Sequence, residues 1–127
     1  MANIIRKRLT GREEGFTLIE LLVVIVILGI LMAIAVPSYM GFKDRANKAA
    51  AQANVRSAVA AVETYYQDTG GYTGLNQTSL LAIDGGIKLN TTMTVTNATY
   101  CISATVGGFP YKKSGPAEDI VSGSCEA

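Results

Sequence analysis

The most prominent pattern in the chain is a long apolar run near its N-terminus. From Phe16 to Val36 the 21 residues contain a single ionisable side chain, Glu20. A helix rises about 1.5 Å per residue, so this run would extend about 31 Å, the thickness of the hydrocarbon core of a bilayer. The pattern therefore predicts a membrane-spanning helix over residues 16–36.

The apolar positions become periodic after the run, which predicts that the helix continues over residues 37–69 as an amphipathic segment. Alanine is frequent there and favours helix. Gly70 and Gly71 are expected to end the helix, since glycine tolerates the backbone conformation of a helix C-terminus. Apolar residues recur on one face of this segment at spacings of 4, 3 and 4, and we expect this stripe to pack against the rest of the domain: Val55, Val59, Val62 and Tyr66.

The C-terminal third has the pattern of a small antiparallel sheet. Residues 70–90 combine turn residues with scattered apolar side chains, which predicts a connecting loop. Residues 91–127 alternate apolar and polar positions in two short runs on either side of Asn97, the pattern of a β-hairpin. A third, shorter edge strand is expected around Ile120 and Val121. The predicted fold class is α+β, with a long N-terminal helix and a small antiparallel C-terminal sheet.

Composition excludes several kinds of chemistry. The chain of 127 residues has no histidine, two cysteines and a net charge of +1. Imidazole-based catalysis and an all-protein zinc site therefore lack their ligands, and a nucleic-acid interface lacks a basic face. The adjacent Glu118 and Asp119 are too few for a calcium site. We expect no metal, no cofactor and no enzymatic activity.

The residues before the apolar run are basic, with Arg6, Lys7, Arg8 and Arg12 against Glu13 and Glu14. The positive-inside rule keeps such a flank in the cytoplasm, so the prediction is a single-pass protein of the cytoplasmic membrane with its C-terminus outside. An ordinary secretory signal peptide, cut after the small residues 33–35, and a plain membrane anchor are alternatives. The run is longer than a signal-peptide core of ~7–15 residues, and neither alternative gives the carboxylate a purpose.

The stretch "GFTLIELLVVIVILGILMAIAVPSY" resembles the N-terminal signature of type IV prepilins and pseudopilins. This resemblance implies the pilin fold, and a leader of residues 1–15 that a prepilin peptidase removes by cutting between Gly15 and Phe16. It also implies N-methylation of the new terminus on Phe16. Glycine suits the cut because it lets the backbone lie extended in a protease cleft at little steric cost.

The resemblance also implies a role for Glu20 and for two helix breakers. Glu20 would pair with the amine of Phe16 of a neighbouring subunit, since the two are four residues apart, about one helical turn or ~6 Å. The alternative is a carboxylate that extends to the headgroups. The segment between Gly29 and Pro37 is often partly unwound in assembled pili of this family, whereas for the free subunit we expect a curved helix with a proline kink.

Cys101 and Cys125 are expected to form a disulfide, because the body is predicted to lie outside the cytoplasm, where disulfides persist. The pair also resembles the C-terminal disulfide-bounded loop of many type IV pilins. Asn76, Asn90 and Asn97 each begin an N-x-T triplet, and chance explains these better than glycosylation.

The function implied is that of a structural subunit which polymerises through its N-terminal helix into a surface filament for motility, adhesion or DNA uptake. Its partners would be other copies of the chain, membrane lipid before assembly, the prepilin peptidase, and an inner-membrane assembly machinery with an ATPase motor. A pseudopilin of a type II secretion or competence system is the alternative.

Overall fold

The computed structural model describes residues 15–126, which divide into two compact units with the boundary between Met40 and Gly41. The α+β class is confirmed. The elements in chain order are α1 (Leu18–Thr69), α2 (Gln77–Ile83), β1 (Thr94–Val95), β2 (Tyr100–Val106), β3 (Phe109–Ser114) and β4 (Val121–Ser122).

Helix α1 contains 52 residues and ends where the sequence predicts. Gly70 follows its last residue with φ of 79°, and the Gly70 N–H donates to the carbonyl of Tyr66 at 2.7 Å. A left-handed residue is needed there to turn the chain out of the helix, and glycine adopts it without a steric penalty.

The buried face of the second half of α1 is built largely from alanines. Val55 and Val62 are fully buried, as the predicted stripe requires, but Val59 is only partly buried and Tyr66 is 38% exposed. The buried face is therefore rotated relative to the predicted stripe, toward Ala58 and Ala61. Its buried members are Ala51, Val55, Ala58, Ala61 and Val62.

The connecting segment 70–90 is not wholly a loop, because it contains α2. Asn76 caps this helix: its Oδ1 accepts the Ser79 N–H at 2.9 Å, while the Ser79 hydroxyl accepts the Asn76 N–H at 3.0 Å. Such a reciprocal cap satisfies two backbone donors that a helix start otherwise leaves open. Leu80 is fully buried and joins α2 to the core.

The sheet has four antiparallel strands in the order β1-β2-β3-β4. The predicted hairpin is confirmed, since Val95 pairs with Tyr100 across the turn that contains Asn97. The predicted edge strand near Ile120 and Val121 is β4, but it is the fourth strand of the sheet.

The strand that the sequence analysis missed is β3, which pairs with β2 along its length. Gly107 and Gly108 form the two-residue turn between β2 and β3 with φ of 58° and 84°. Pro110 pairs with Thr105, one position beyond the residues that flank the turn. That position is a non-hydrogen-bonded pair of the ladder, so a missing N–H costs no ladder bond there.

The core of the C-terminal unit lies between the sheet and the second half of α1. It includes Tyr100, Ile102 and Ala104 from β2, and Leu80 from α2. Segment 87–90 extends the sheet next to β1, since the Asn90 N–H donates to the Ser103 carbonyl at 2.7 Å. Ile87 and Leu89 are buried and fix this segment to the core.

Candidate functional site

The candidate site at the N-terminal end of α1 begins just before the helix. Gly15, Phe16 and Thr17 precede α1, whose first residue is Leu18. The sequence analysis placed Phe16 inside the helix, and that was wrong. The leader residues 1–14 lie outside the described part of the chain.

Thr17 and Glu20 form a reciprocal cap at the start of α1. The Thr17 N–H donates to Glu20 Oε2 at 3.1 Å, and the Glu20 N–H donates to Thr17 Oγ1 at 3.3 Å. This is a capping box, in which each side chain satisfies a backbone donor of the first turn. A negative charge in the first turn also interacts favourably with the helix dipole.

The capping box changes the geometry expected for Glu20. Its carboxylate turns back toward the N-terminus and reaches the residue directly after Phe16, rather than lying one helical turn from it. The sequence analysis did not single out Thr17 as the capping residue, although the spacing T-x-x-E before an apolar run is a recognised helix-start signal. Glu20 and the peptide at Phe16 are thus adjacent before any second copy is present.

The first half of α1 exposes apolar side chains on every face. Within the described residues, this helix is long and apolar enough to cross a membrane, and none of its apolar window is buried. A helix that is apolar all round needs a bilayer or other helices around it. Its large exposed side chains in the first three turns include Leu18, Ile19, Leu21, Leu22, Val23, Val24, Ile25 and Val26.

The two predicted helix breakers both lie within α1, which runs through them without interruption. A side chain at Gly29 would meet no atom within 4 Å. Near Pro37, the hydroxyl of Ser38 donates to the Ile34 carbonyl at 3.2 Å, whereas the carbonyl that loses its helical donor because proline lacks an N–H is that of Ala33. Unwinding of this segment concerns the assembled fibre and stays a prediction.

The C-terminal loop is closed by the expected cysteines. Cys101 and Cys125 are bonded, with their Cα atoms 5.8 Å apart. Both are buried. The bond joins β2 to the end of the chain, and the loop between them contains β3 and β4.

Glu118 and Asp119 lie in this loop, and the described residues contain no group of three His, Cys, Asp or Glu side chains that could hold a metal ion.

The three N-x-T asparagines are used in structural hydrogen bonds. Asn76 caps α2, as described above. Asn90 Nδ2 donates to the hydroxyls of Ser103 at 3.1 Å and Thr105 at 3.0 Å. Asn97 Oδ1 accepts from the Thr73 hydroxyl at 3.2 Å. Each asparagine side chain therefore has a structural role in the fold.

Comparison with known proteins gives the same family as the N-terminal signature. A family model described as the prokaryotic N-terminal methylation motif matches residues 11–36. The chain is 38% identical over 97 residues to the type IV wide pilus major component PilA4 of Thermus thermophilus, covering 72% of each chain.

Two further relatives match over shorter stretches of the chain. The type IV narrow pilus major component PilA5 of the same organism is 56% identical over 55 residues, which cover 43% of this chain and 44% of the relative. The type II secretion system core protein G of Escherichia coli is 40% identical over 70 residues, 55% of this chain and 48% of the relative. These two matches span about half the length of each relative or less. The extended match to PilA4, the methylation motif and the α+β fold together show that the chain belongs to the family of type IV pilins and their pseudopilin relatives.

Proposed function

We propose that this chain is the structural subunit of a type IV pilus. It is held in the cytoplasmic membrane by the first half of α1 with its C-terminal unit outside, and it is cut between Gly15 and Phe16 by a prepilin peptidase that methylates Phe16. An inner-membrane machinery with an ATPase motor then adds it to a surface filament. The chain itself catalyses no reaction.

The observation that carries this proposal is the uniformly exposed apolar surface of residues 18–36. A bilayer covers such a surface before assembly, and the equivalent helices of other copies cover it afterwards. Both environments exclude water, so the same residues serve in each. A simple anchor would need the first environment only.

Glu20 is proposed to pair with the methylated amine of Phe16 of a neighbouring subunit. Within its own chain the carboxylate already accepts the Thr17 N–H. A carboxylate has two oxygens with room for further donors, so an incoming amine can join the cap without breaking it. In an apolar environment, loss of one partner of such a pair costs about 3–5 kcal/mol, so the pair sets the register of the helices.

Two substitutions separate the cap from the charge. Glu20→Gln keeps an oxygen for the Thr17 N–H but removes the charge, whereas Glu20→Ala removes both. We expect both variants to insert and to be cleaved after Gly15, and both to give few filaments. Cleavage is read from the gel mobility of the membrane pool, and assembly from the amount of sheared filament. Normal filament yield from Glu20→Gln would rule out the charge pair.

The processing step is tested by N-terminal analysis of sheared fibres. The proposal expects the mature chain to begin at Phe16 and to carry the added mass of one methyl group. A chain beginning at Val36 would instead identify an ordinary signal peptide and reject the proposal.

Residues 29–37 are proposed to be the segment that extends in the fibre. Gly29 and Pro37 each weaken the helix, glycine by about 1 kcal/mol and proline by about 3 kcal/mol. Amide hydrogen exchange should be faster in this segment in filaments than in the subunit in detergent. Equal protection in both states would contradict the extension.

The second candidate function is a pseudopilin of a secretion or competence system, which the similarity to the type II secretion system core protein G favours. Electron microscopy of the cell surface separates the two candidates. Long surface filaments that contain the chain support a pilus, and their absence under conditions of protein secretion supports a pseudopilus.

A further inference from the structure

The apolar run is followed directly by a basic segment of α1. Residues 37–62 contain four lysines and arginines and a single acidic residue, Asp44. Residues 63–127 have the opposite balance, with three lysines against six aspartates and glutamates. The positive charge of the chain after the apolar run is therefore concentrated in the residues closest to that run.

Three of these cations are distributed around the helix axis rather than along one face. Successive residues of an α-helix turn by about 100°, so Lys43 lies about 160° around the axis from Arg45 and about 140° from Lys48. All three side chains are exposed. We call these three residues the basic collar. A bilayer surrounds a spanning helix on every side, whereas a neighbouring protein contacts one side of it, so the collar matches a layer of headgroups better than a protein surface.

The basic collar lies at the depth of the headgroups and of the electric field beyond them. Lys43 and Lys48 follow Val36 by seven and twelve residues of the same helix, which corresponds to about 10 and 18 Å along its axis. The headgroup region adds about 5–8 Å to each side of the hydrocarbon core. The field of a charged surface extends about 8 Å further at physiological ionic strength. Lys43 is therefore close to the headgroups, and Lys48 is near the outer limit of their field.

Two exposed aromatic residues come between the apolar run and the basic collar. Tyr39 is 64% exposed and Phe42 is 71% exposed. Aromatic side chains with a polar tip, tyrosine among them, are enriched at the membrane–water interface, where the ring lies at the level of the headgroups. The order apolar run, aromatic residues, cations is the order in which a bilayer offers hydrocarbon, interface and charge.

Lys48 is held in position by the turn between β2 and β3. Its ammonium lies 5.0 Å from the centroid of the Phe109 ring. A side chain at Gly107 would clash with that of Asn47, so glycine lets the turn lie directly against α1. An aromatic face attracts a cation without neutralising it. The turn therefore orients Lys48 and leaves its charge available to a ligand.

We propose that the basic collar binds the headgroups of anionic phospholipids while the subunit is held in the membrane. This inference rests on the membrane-held state of the proposed function, and it adds a headgroup contact to the burial of the apolar run. An anionic surface attracts the cations of residues 43–48 and repels the excess of carboxylates in residues 63–127. The contact therefore favours one end of the C-terminal unit at the membrane surface, and it is lost when the subunit leaves the bilayer for the filament.

NMR of the full-length chain in micelles of a zwitterionic detergent tests the inference. Phosphatidylglycerol and phosphatidylcholine with identical acyl chains are added in separate titrations, so that only the headgroup differs. We expect the amide signals of residues 42–48 and of Phe109 to shift to saturation with phosphatidylglycerol and to stay unchanged with phosphatidylcholine. Salt at about 1 M shortens the screening length to about 3 Å and should abolish the shifts.

Two variants with the same net charge separate the basic collar from the other cations. The collar variant carries Lys43→Gln, Arg45→Gln and Lys48→Gln. The matched control removes the three lysines of residues 63–127 instead: Lys88→Gln, Lys112→Gln and Lys113→Gln. One cation near an anionic surface contributes about fivefold to affinity, so the collar variant should bind phosphatidylglycerol at least about tenfold more weakly. The control should match wild type, and unchanged signals from the core of either variant confirm that the fold is kept.

Equal shifts with both lipids, or a control variant that loses as much affinity as the collar variant, would overturn the inference. Inorganic phosphate that causes the same shifts at the same concentration would indicate a site for small anions and would also overturn it. These outcomes leave the pilus function standing, because filament yield and the N-terminal residue are measured separately. A mature chain beginning at Val36 would instead reject the proposed function and the membrane-held state together.

Discussion

The buried side chain of Tyr100 allows a direct test of which groups in the core stabilise the fold and which destabilise it. Tyr100 is 2% exposed, and its ring lies edge-on to that of Tyr72 with 4.8 Å between centroids. Its hydroxyl has no hydrogen-bond partner among the described residues. A buried polar group without a partner costs about 1–3 kcal/mol of desolvation. The hydroxyl therefore opposes folding while the ring favours it.

Tyr100→Phe keeps the ring and removes the hydroxyl, so we expect the free energy of unfolding to rise by about 1 kcal/mol. Tyr72→Phe is the matched control. The Tyr72 hydroxyl donates to Glu63 Oε1 at 3.3 Å, so the same chemical change there removes a hydrogen bond. Its free energy of unfolding should fall by about 0.5–1.5 kcal/mol. Opposite signs from identical substitutions would be hard to explain by ring packing.

The pH dependence gives a second measurement on the same variants. Burial, and secondly the negative charge of Glu63, raise the pKa of Tyr100 above its usual value of 10.0. Above that pH the unfolded chain releases the Tyr100 proton while the folded chain keeps it. Wild type should therefore lose stability as pH rises past 10, by at most about 1.4 kcal/mol per pH unit from this group. Tyr100→Phe lacks that loss, so its advantage should widen.

Urea unfolding of the full chain in detergent micelles measures both effects. The NMR signals of the Ile102 methyl groups report on the core at any pH, because this side chain is fully buried. A Tyr100→Phe variant that is less stable than wild type at pH 7 would refute the reasoning, since it would mean that the hydroxyl is bonded. An advantage that stays constant above pH 10 would refute the pKa argument alone.

Three further sets of substitutions test the fold by the same urea assay. Cys101→Ser or Cys125→Ser removes the disulfide, whose cysteines have a sequence separation of 24, and should lower the free energy of unfolding by about 3 kcal/mol. Reduction of the wild-type disulfide should cause the same loss, and an unchanged stability on reduction would contradict this. Val62→Ala should lower the free energy of unfolding by about 2 kcal/mol, and Val59→Ala by clearly less, because Val59 is only partly buried. Equal losses would show that the buried face of α1 is wrongly assigned. Gly70→Ala should lower the free energy of unfolding by about 1–2 kcal/mol. The whole loss would come from the left-handed backbone, since a Cβ there meets no atom within 4 Å. An unchanged midpoint of urea unfolding would argue against the φ of 79°.

Much of the fold was predictable because its signals are local. The apolar run, the glycine at the end of α1 and the β1–β2 hairpin each follow from residues close together in sequence. The cap of α2 is also local, since the side chains of Asn76 and Ser79 each accept the backbone N–H of the other residue. The third residue after the cap is serine here, however, rather than the glutamate or glutamine of the usual capping box. The sequence analysis therefore interpreted the segment as a loop.

The positions that the sequence could not predict depend on tertiary contacts. Strand β3 contains Pro110, and a proline argues against a strand because it cannot donate a ladder hydrogen bond. Pro110 is tolerated because the register with β2 places it at a position where no donor is needed. The buried face of α1 was misplaced for a related reason. Ala58 and Ala61 are buried because the sheet lies against them, whereas an alanine in sequence gives no sign of which face it is on.

The groove between α1 and the loop after β3, and the exposed end of α2, were beyond sequence analysis altogether. Arg56 and Asp119 are far apart in sequence, and only the fold of the disulfide-bounded loop brings both to one groove. Leu81 appears in sequence as one apolar anchor among several, and its exposure is visible only once Leu80 is seen to occupy the core.

The capping box gives a physical account of why a carboxylate is tolerated at the start of an apolar helix. An unpartnered charge in hydrocarbon costs about 2.5–3.5 kcal/mol at the centre of a span and less near its end. Glu20 is near the end, and it has a backbone donor in Thr17 of its own chain. On the proposed function, the Glu20 carboxylate therefore needs no hydrogen-bond donor from a second subunit before assembly, while the chain is in the membrane. Cleavage at Gly15 then creates a free amine one residue from that donor, and this amine is the group that two adjacent helices can share.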